Sequence, residues 1–134
     1  MPQKILIVED DAINIKFMKV VLTRKGGYEV VVSEDVNEIL ALAASGEIHA
    51  IIMDISLTHS SYEGQKVDGV FITKLLKSKA ETRQVPVMLA TAHAMFGDRE
   101  RFLAETGAEH YISKPIHDPD LFLAEVRHIL PSAP

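Results

Sequence analysis

The sequence predicts an α/β fold, a doubly wound parallel sheet of five strands with five helices on its two faces. Two observations predict this architecture. Short apolar runs alternate with segments of helical period along the whole chain, which is typical of a parallel sheet covered on both faces. Most of these runs end abruptly in a polar or charged residue, as buried parallel strands do at the carboxyl edge of a sheet. Right-handed crossovers then give a doubly wound sheet.

The strands are predicted from the apolar runs. The central run is Ala50–Asp54, which is wholly apolar before its final carboxylate. The second run is rich in β-branched residues, and the fourth follows Pro86. The five predicted strands are Lys4–Val8, 29–33, Ala50–Asp54, 87–90 and His110–Ser113.

The helices are predicted from apolar residues at helical spacing. Aspartates are predicted to cap three of them, because aspartate favours the N-cap position. Two of the predicted helices span Val36–Ala44 and 96–105. The other three begin after Asp10 or Asp11, after Asp68, and at Asp118-Pro119. The residues predicted to face inward are Ile13, Phe17, Val20 and Val21; Val36, Ile39, Leu40 and Ala43; Phe71, Ile72, Leu75 and Leu76; Phe102 and Leu103; and Phe122, Val126, Ile129 and Leu130.

Composition favours a single domain. The chain has 134 residues, of which 47% are apolar, so roughly two-thirds of the unfolded surface is buried on folding.

A net charge of −5 without a dense basic cluster argues against nucleic acid as a direct partner. The absence of cysteine excludes disulfides and thiolate metal sites. No apolar run approaches the ~20 residues that span a bilayer, and the amino terminus lacks a signal-peptide pattern, so we expect a cytoplasmic protein without membrane insertion.

Polar residues follow the ends of four predicted strands. Because the carboxyl ends of parallel strands meet at one edge, and open α/β sheets bind ligands there, we expect these side chains to lie together. They are Glu9, Asp10 and Asp11 after the first strand, Asp54 at the end of the third, Thr91 after the fourth, and Lys114 after the fifth.

Three carboxylates in one pocket repel one another unless a cation lies among them. Glu9, Asp10 and Asp54 offer hard oxygen ligands, which suit Mg²⁺. Thr91 would donate a hydrogen bond to a phosphoryl oxygen, and Lys114 would supply a positive charge for an anion. Simpler interpretations stay open for single residues, because aspartate and threonine favour helix caps and most lysines lie on the solvated surface.

Five motifs in order resemble the receiver domain of two-component response regulators, here of the stand-alone type. The resemblance covers essentially the whole chain, with a receiver domain over 1–131 and a terminal stub at 132–134. It implies a flavodoxin-like sheet with strand order 2-1-3-4-5. The matching motifs are Ile5-Leu6-Ile7-Val8-Glu9-Asp10, Ile51-Ile52-Met53-Asp54, Asp68-Gly69, Ala90-Thr91-Ala92 and Tyr111-Ile112-Ser113-Lys114-Pro115-Ile116.

The resemblance also implies a role for each matching residue. Asp54 would accept a phosphoryl group from a histidine kinase or a histidine phosphotransfer protein, in a chain that is not a conventional turnover enzyme. A downstream protein would then read a changed surface, and the chain would be a monomer or weak dimer. The implied site residues are Glu9, Asp10, Asp54 and the Ser56 carbonyl for Mg²⁺; Thr91 and Lys114 at the phosphoryl group; Thr91 and Tyr111 as the switch; a cis bond at Pro115; and Ser56 and His93 as modulators of dephosphorylation.

The sequence departs from the family in residues 55–67, which predict a long aperiodic loop at the active edge. Asp68-Gly69 comes 14 residues after Asp54, about twice the spacing usual in the family, and Leu57-Thr58 stands where Met-Pro is expected. The extra residues would gate the pocket, bind a partner or slow hydrolysis, or they are a tolerated surface insertion. His59 in this loop is most simply an isolated histidine.

Three other functions are alternatives to a phosphorylated regulator. A haloacid-dehalogenase-type phosphohydrolase needs a second acid two residues after its nucleophile, and Ser56 occupies that place. A transcription factor is not expected, since the chain ends one helix after Lys114. A receiver-like binding module that works without phosphorylation stays open because of the long loop.

Overall fold

The computed structural model describes residues 2–92, 95 and 97–131. Five parallel strands form the main sheet, in the order β2-β1-β3-β6-β7. Counting only these strands, the order is the expected 2-1-3-4-5, so the predicted fold class is confirmed. The main-sheet strands are β1 (Lys4–Val8), β2 (Glu29–Val32), β3 (Ala50–Asp54), β6 (Val87–Thr91) and β7 (His110–Ser113), and a separate hairpin pairs β4 (Ser61–Tyr62) with β5 (Gln65–Lys66).

Five α-helices connect the strands, as predicted. They are α1 (Ala12–Val20), α2 (Val36–Ala44), α3 (Gly69–Ser78), α4 (Asp98–Thr106) and α5 (Pro119–Ile129). A π-helical turn, Val21–Lys25, continues α1. Asp11, Asp68 and Asp118 cap α1, α3 and α5 by accepting hydrogen bonds from backbone N–H groups of the first turn. The fourth helix begins later than predicted, and Phe96 lies outside the described residues.

The core lies in two layers, one on each face of the sheet. Alternate residues of β1 divide between them: Leu6 packs with α2 and α3, and Ile7 with α1 and α5. The strands β3 and β6 are fully buried, which explains their continuous apolar runs. Burial on both faces fixes the register of these strands, so their carboxyl ends are held at one edge.

The inward face predicted for α1 is wrong in part. Ile13 is 80% exposed and Val20 is 41% exposed, whereas Met18 and Leu22 are fully buried. The first helix has two overlapping apolar faces. The π-helical turn after Val20 packs the face that contains Met18 and Leu22 onto the sheet.

Residues 55–67 do not form a wholly irregular loop. Glu63 and Gly64 have φ values of 52° and 80°, and this left-handed pair turns the chain between β4 and β5. The ring of Tyr62 in the hairpin packs 5.9 Å from the ring of Phe71. Phe71 was predicted to face inward but is 41% exposed, because it covers the hairpin rather than the sheet.

Within the described part of the chain, no helix combines the length and the apolar character needed to cross a bilayer.

Candidate functional site

The strand register brings the predicted polar residues together. Val8 of β1 pairs with Met53 of β3, so the next residues, Glu9 and Asp54, are neighbours. On the other side of β3, Asp54 pairs with Ala90, the residue before Thr91. Three of these side chains are withdrawn from solvent, since Glu9, Asp54 and Thr91 are between 1% and 4% exposed. The predicted meeting of side chains at the carboxyl edge is therefore present.

Lys114 joins the site from β7. Thr91 pairs with Ser113, and the backbone N–H of Lys114 donates to the Thr91 carbonyl oxygen at 2.7 Å. The Lys114–Pro115 peptide bond is cis. The Lys114 Nζ lies 2.8 Å from Glu9 Oε1 and 3.5 Å from Asp54 Oδ1, with only 8% of its side chain exposed. The lysine thus forms a buried ion pair, not the solvated surface charge that was its simpler interpretation.

The three carboxylates predicted to hold a metal form one cluster. Glu9, Asp10 and Asp54 each offer an oxygen within 4.8 Å of the others. They line an open pocket of about 270 Å³ together with Ser56 and Lys114. Burial, reinforced by the neighbouring Asp54 carboxyl, raises the pKa of Glu9 from 4.5 to about 7 despite the ion pair with Lys114. One ammonium group does not offset three carboxylates, so this donor set fits a hard divalent cation.

The backbone around Asp54 is closely packed. The N–H of Ser56 donates to Asp54 Oδ1 at 3.0 Å. A Cβ atom at Gly69 would lie 2.1 Å from the carbonyl oxygen of Asp54. Only glycine lets the start of α3 approach the end of β3 this closely. The Asp68-Gly69 pair therefore has two local functions: its aspartate caps α3 and its glycine permits the packing.

Thr58 is a site residue that the sequence interpretation missed. Its N–H and its hydroxyl both donate to Asp10 Oδ2, each at 3.0 Å. His59 Nδ1 lies 3.4 Å from the same oxygen, although its side chain is 70% exposed. Burial raises the pKa of Asp10, but the hydrogen bonds from Thr58, the nearby His59 and a backbone hydrogen bond together hold the pKa below its ordinary value. A threonine stands at this position where the family has proline, but its contact with Asp10, 48 residues away, leaves no local pattern in the sequence.

Tyr111 lies away from the acidic pocket. Its ring stacks on Phe102 of α4, with centroids 6.1 Å apart. The residue is 7% exposed, and its hydroxyl has no hydrogen-bond partner among the described residues. Burial raises the pKa of this hydroxyl. Tyr111 thus links β7 to α4, while His93, predicted to modulate the site, lies outside the described residues.

Comparison with known proteins places the chain in a family. The response regulator receiver domain matches residues 5–126. The chain is 40% identical over 119 residues to the polar-differentiation response regulator DivK of Brucella anthropi, covering 89% of each protein.

Solved structures agree. The receiver domain of the sensor histidine kinase PA1611 from Pseudomonas aeruginosa, which has a magnesium ion in its active site cleft, matches with a TM-score of 0.75 and 31% identity over 96% of this chain and 98% of that one. The chemotaxis protein CheY4 of Vibrio cholerae shares the fold, with a TM-score of 0.79 and 22% identity over 97% and 100% of the two chains. From its sequence and its fold, the chain belongs to the response regulator receiver domain family.

Proposed function

We propose that this receiver domain accepts a phosphoryl group on Asp54 in a phosphorelay and signals through a changed protein-interaction surface. One observation carries the proposal. The buried Asp54 carboxylate belongs to the acidic cluster with Glu9 and Asp10. Its Oδ1 lies 3.5 Å from Lys114 Nζ, at the edge of the sheet where Thr91 also lies. A carboxylate in such a place is a nucleophile for phosphoryl transfer.

The phosphoryl donor is a phosphohistidine on a sensor histidine kinase or a histidine phosphotransfer protein. A carboxylate oxygen of Asp54 forms a bond to phosphorus while the phosphorus–nitrogen bond of the donor breaks. The imidazole leaves with that electron pair and takes up a proton. Because Oδ1 already accepts the Ser56 N–H, we assign the attack to Oδ2. Hydrolysis of the acyl phosphate later returns the carboxylate and inorganic phosphate. Because the phosphoryl group serves as a signal on the chain itself, the chain is not a conventional turnover enzyme.

The other residues of the pocket bind the transferred group. Lys114 pairs with phosphoryl oxygens, and the hydroxyl of Thr91 donates a hydrogen bond to one of them. We assign Mg²⁺ to Glu9, Asp10, Asp54 and the Ser56 carbonyl, where it would offset negative charge on the phosphoryl oxygens. The magnesium ion of the Pseudomonas aeruginosa receiver supports this choice of metal. Ser56 and His93, each two residues beyond a reacting side chain, would tune the rate of dephosphorylation.

The output is a change of surface. Phosphorylation adds about −1.5 to −2 charge at Asp54. Thr91 would move toward this charge. Tyr111, in the strand β7 beside β6, would then change its position and alter the face formed by α4, β7 and α5. A downstream protein in the cytoplasm would read this face, with the regulator acting as a monomer or weak dimer and without direct contact to nucleic acid.

Intact-mass spectrometry tests the proposal. The protein is incubated with a small phosphodonor, with and without Mg²⁺, beside Asp54→Asn and the control Asp68→Asn, which alters only a helix cap. We expect one phosphoryl group on the wild type and on the control, and none on Asp54→Asn or without metal.

The alternative function is a receiver-like binding module that works without phosphorylation. It is favoured by the contact of the long loop with Asp10, which covers part of the acidic cluster. Failure of the wild type to gain a phosphoryl group, both from the small donor and from a histidine-phosphorylated protein, would support this alternative and overturn the first proposal.

A further inference from the structure

Thr58 attaches the loop between β3 and α3 to the Asp10 carboxylate of the acidic cluster. Thr58 donates twice to Asp10 Oδ2, with its N–H and with its hydroxyl, and both distances are 3.0 Å. The acceptor is a largely withdrawn carboxylate, since the side chain of Asp10 is 16% exposed. Two bonds to one oxygen restrict the rotation of this carboxyl group and leave its other oxygen, Oδ1, for a further ligand.

The position of Thr58 is fixed on both sides. Leu57 before it is 5% exposed and belongs to the core. Ser60 after it is 2% exposed, and its hydroxyl donates to the carbonyl oxygen of Glu34 at 2.7 Å. The N–H of Val67 donates to the Ser60 carbonyl and closes the loop at 3.0 Å. Thr58 is therefore an exposed residue held between two buried anchors.

From this geometry we propose that Thr58 is a positioning residue that holds Asp10 ready to bind a divalent cation. The proposal rests on the function proposed above, because it assumes that Asp10 is a metal ligand. Partners that hydrogen-bond a ligating carboxylate orient it before the metal arrives, and their loss commonly weakens metal binding. A proline at this position would offer neither donor, so the long loop contributes an attachment that a shorter turn with proline lacks.

Metal binding, measured without any phosphodonor, tests the role of Thr58. Mn²⁺ binding is followed by electron paramagnetic resonance, and Mg²⁺ affinity is obtained from competition with Mn²⁺. The variants are Thr58→Val, which removes the hydroxyl at equal size, and Thr58→Ser, which restores it. The matched control is Thr23→Val, whose hydroxyl donates within its own helix to Lys19 O. Thermal unfolding of the metal-free proteins is measured in parallel.

We expect Thr58→Val to bind Mn²⁺ and Mg²⁺ up to about tenfold more weakly, and Thr58→Ser to bind within about twofold of the wild type. Thr23→Val is expected to bind like the wild type. Equal affinities for all four proteins, or a loss that Thr58→Ser does not restore, would overturn the positioning role and leave the phosphoacceptor function intact. A wild type that binds neither metal would overturn both proposals.

Discussion

Lys114 Nζ lies 2.8 Å from Glu9 Oε1. This contact joins the carboxyl end of β7 to the carboxyl end of β1, across the two strands that lie between them, β3 and β6. Both side chains are almost completely withdrawn from solvent, at 8% and 1% exposure. The pair stands beside Asp54 and Asp10, and among the described residues Lys114 is the only lysine or arginine that forms an ion pair with the acidic cluster. The site therefore holds more carboxylates than ammonium groups, and its stability depends on this difference in charge.

Replacing Lys114 with methionine should destabilise the metal-free protein by about 3 kcal/mol, because it leaves Glu9 and Asp54 buried without a counter-charge. Saturating Mg²⁺ should recover part of this loss. Urea unfolding with and without Mg²⁺ measures both effects. Lys74→Met is the control, since Lys74 pairs with Glu105 at a site where both side chains are nearly half exposed, and it should cost under about 0.5 kcal/mol. Equal losses for the two variants would contradict the account.

Glu9 should make the metal-free protein less stable as the pH rises. Burial raises its pKa from 4.5 to about 7, so the folded state binds this proton more tightly than the unfolded chain. The free energy of unfolding should therefore fall between about pH 4.5 and pH 7 and level off above, by up to about 3 kcal/mol from this group. Urea unfolding in a chelator across this range, compared with Glu9→Gln, isolates the effect. A wild type and a variant with the same pH slope would show that Glu9 ionises normally.

Gly69→Ala should destabilise the fold by about 3 kcal/mol, because the new methyl group would overlap the carbonyl oxygen of Asp54, a backbone atom that the sheet holds in place. Gly46→Ala is the comparison. Its Cβ would meet nothing within 4 Å, so only the positive φ of 83° opposes it, at a cost of about 1 kcal/mol. Chemical denaturation decides between steric overlap at Gly69 and the smaller cost of a positive φ at Gly46: two similar losses of stability would rule out the overlap.

Tyr111→Phe should leave the protein equally stable or stabilise it by up to about 1 kcal/mol, because the buried hydroxyl has no partner among the described residues. Tyr111→Ala should cost about 3 to 4 kcal/mol, since it removes the ring that stacks on Phe102. Thermal unfolding of both variants separates the hydroxyl from the ring. A loss above about 1 kcal/mol in Tyr111→Phe would mean that the hydroxyl makes a hydrogen bond that stabilises the fold.

The main sheet and its polar edge were predictable, because both depend on local pattern. A run such as Ala50–Asp54 is buried on both faces, so its apolar continuity identifies the strand and its final carboxylate marks the edge. Once the strands are parallel, the register brings Glu9, Asp54 and Thr91 together without further information. The sequence also placed Lys114 at this edge, through the end of the fifth apolar run.

Packing choices and hydrogen bonds across the chain were not predictable in the same way. The first helix has two apolar stripes, and only contact with the sheet selects Met18 and Leu22 over Ile13. The loop has no hydrophobic period, because its hairpin is held by a turn and by the contact of Tyr62 with Phe71. The attachment of Thr58 to Asp10 joins residues 48 positions apart, so no local pattern reveals it.

If Asp54 accepts the phosphoryl group, its carboxylate becomes an acyl phosphate. The most direct measurement treats the phosphorylated protein with borohydride, which reduces an acyl phosphate to an alcohol and would convert the aspartate to homoserine, and then locates the product by peptide mass spectrometry. We expect homoserine at position 54 after incubation with phosphodonor and Mg²⁺, and none when Mg²⁺ is omitted. Homoserine at Asp10 or at another position, or none anywhere, would contradict it.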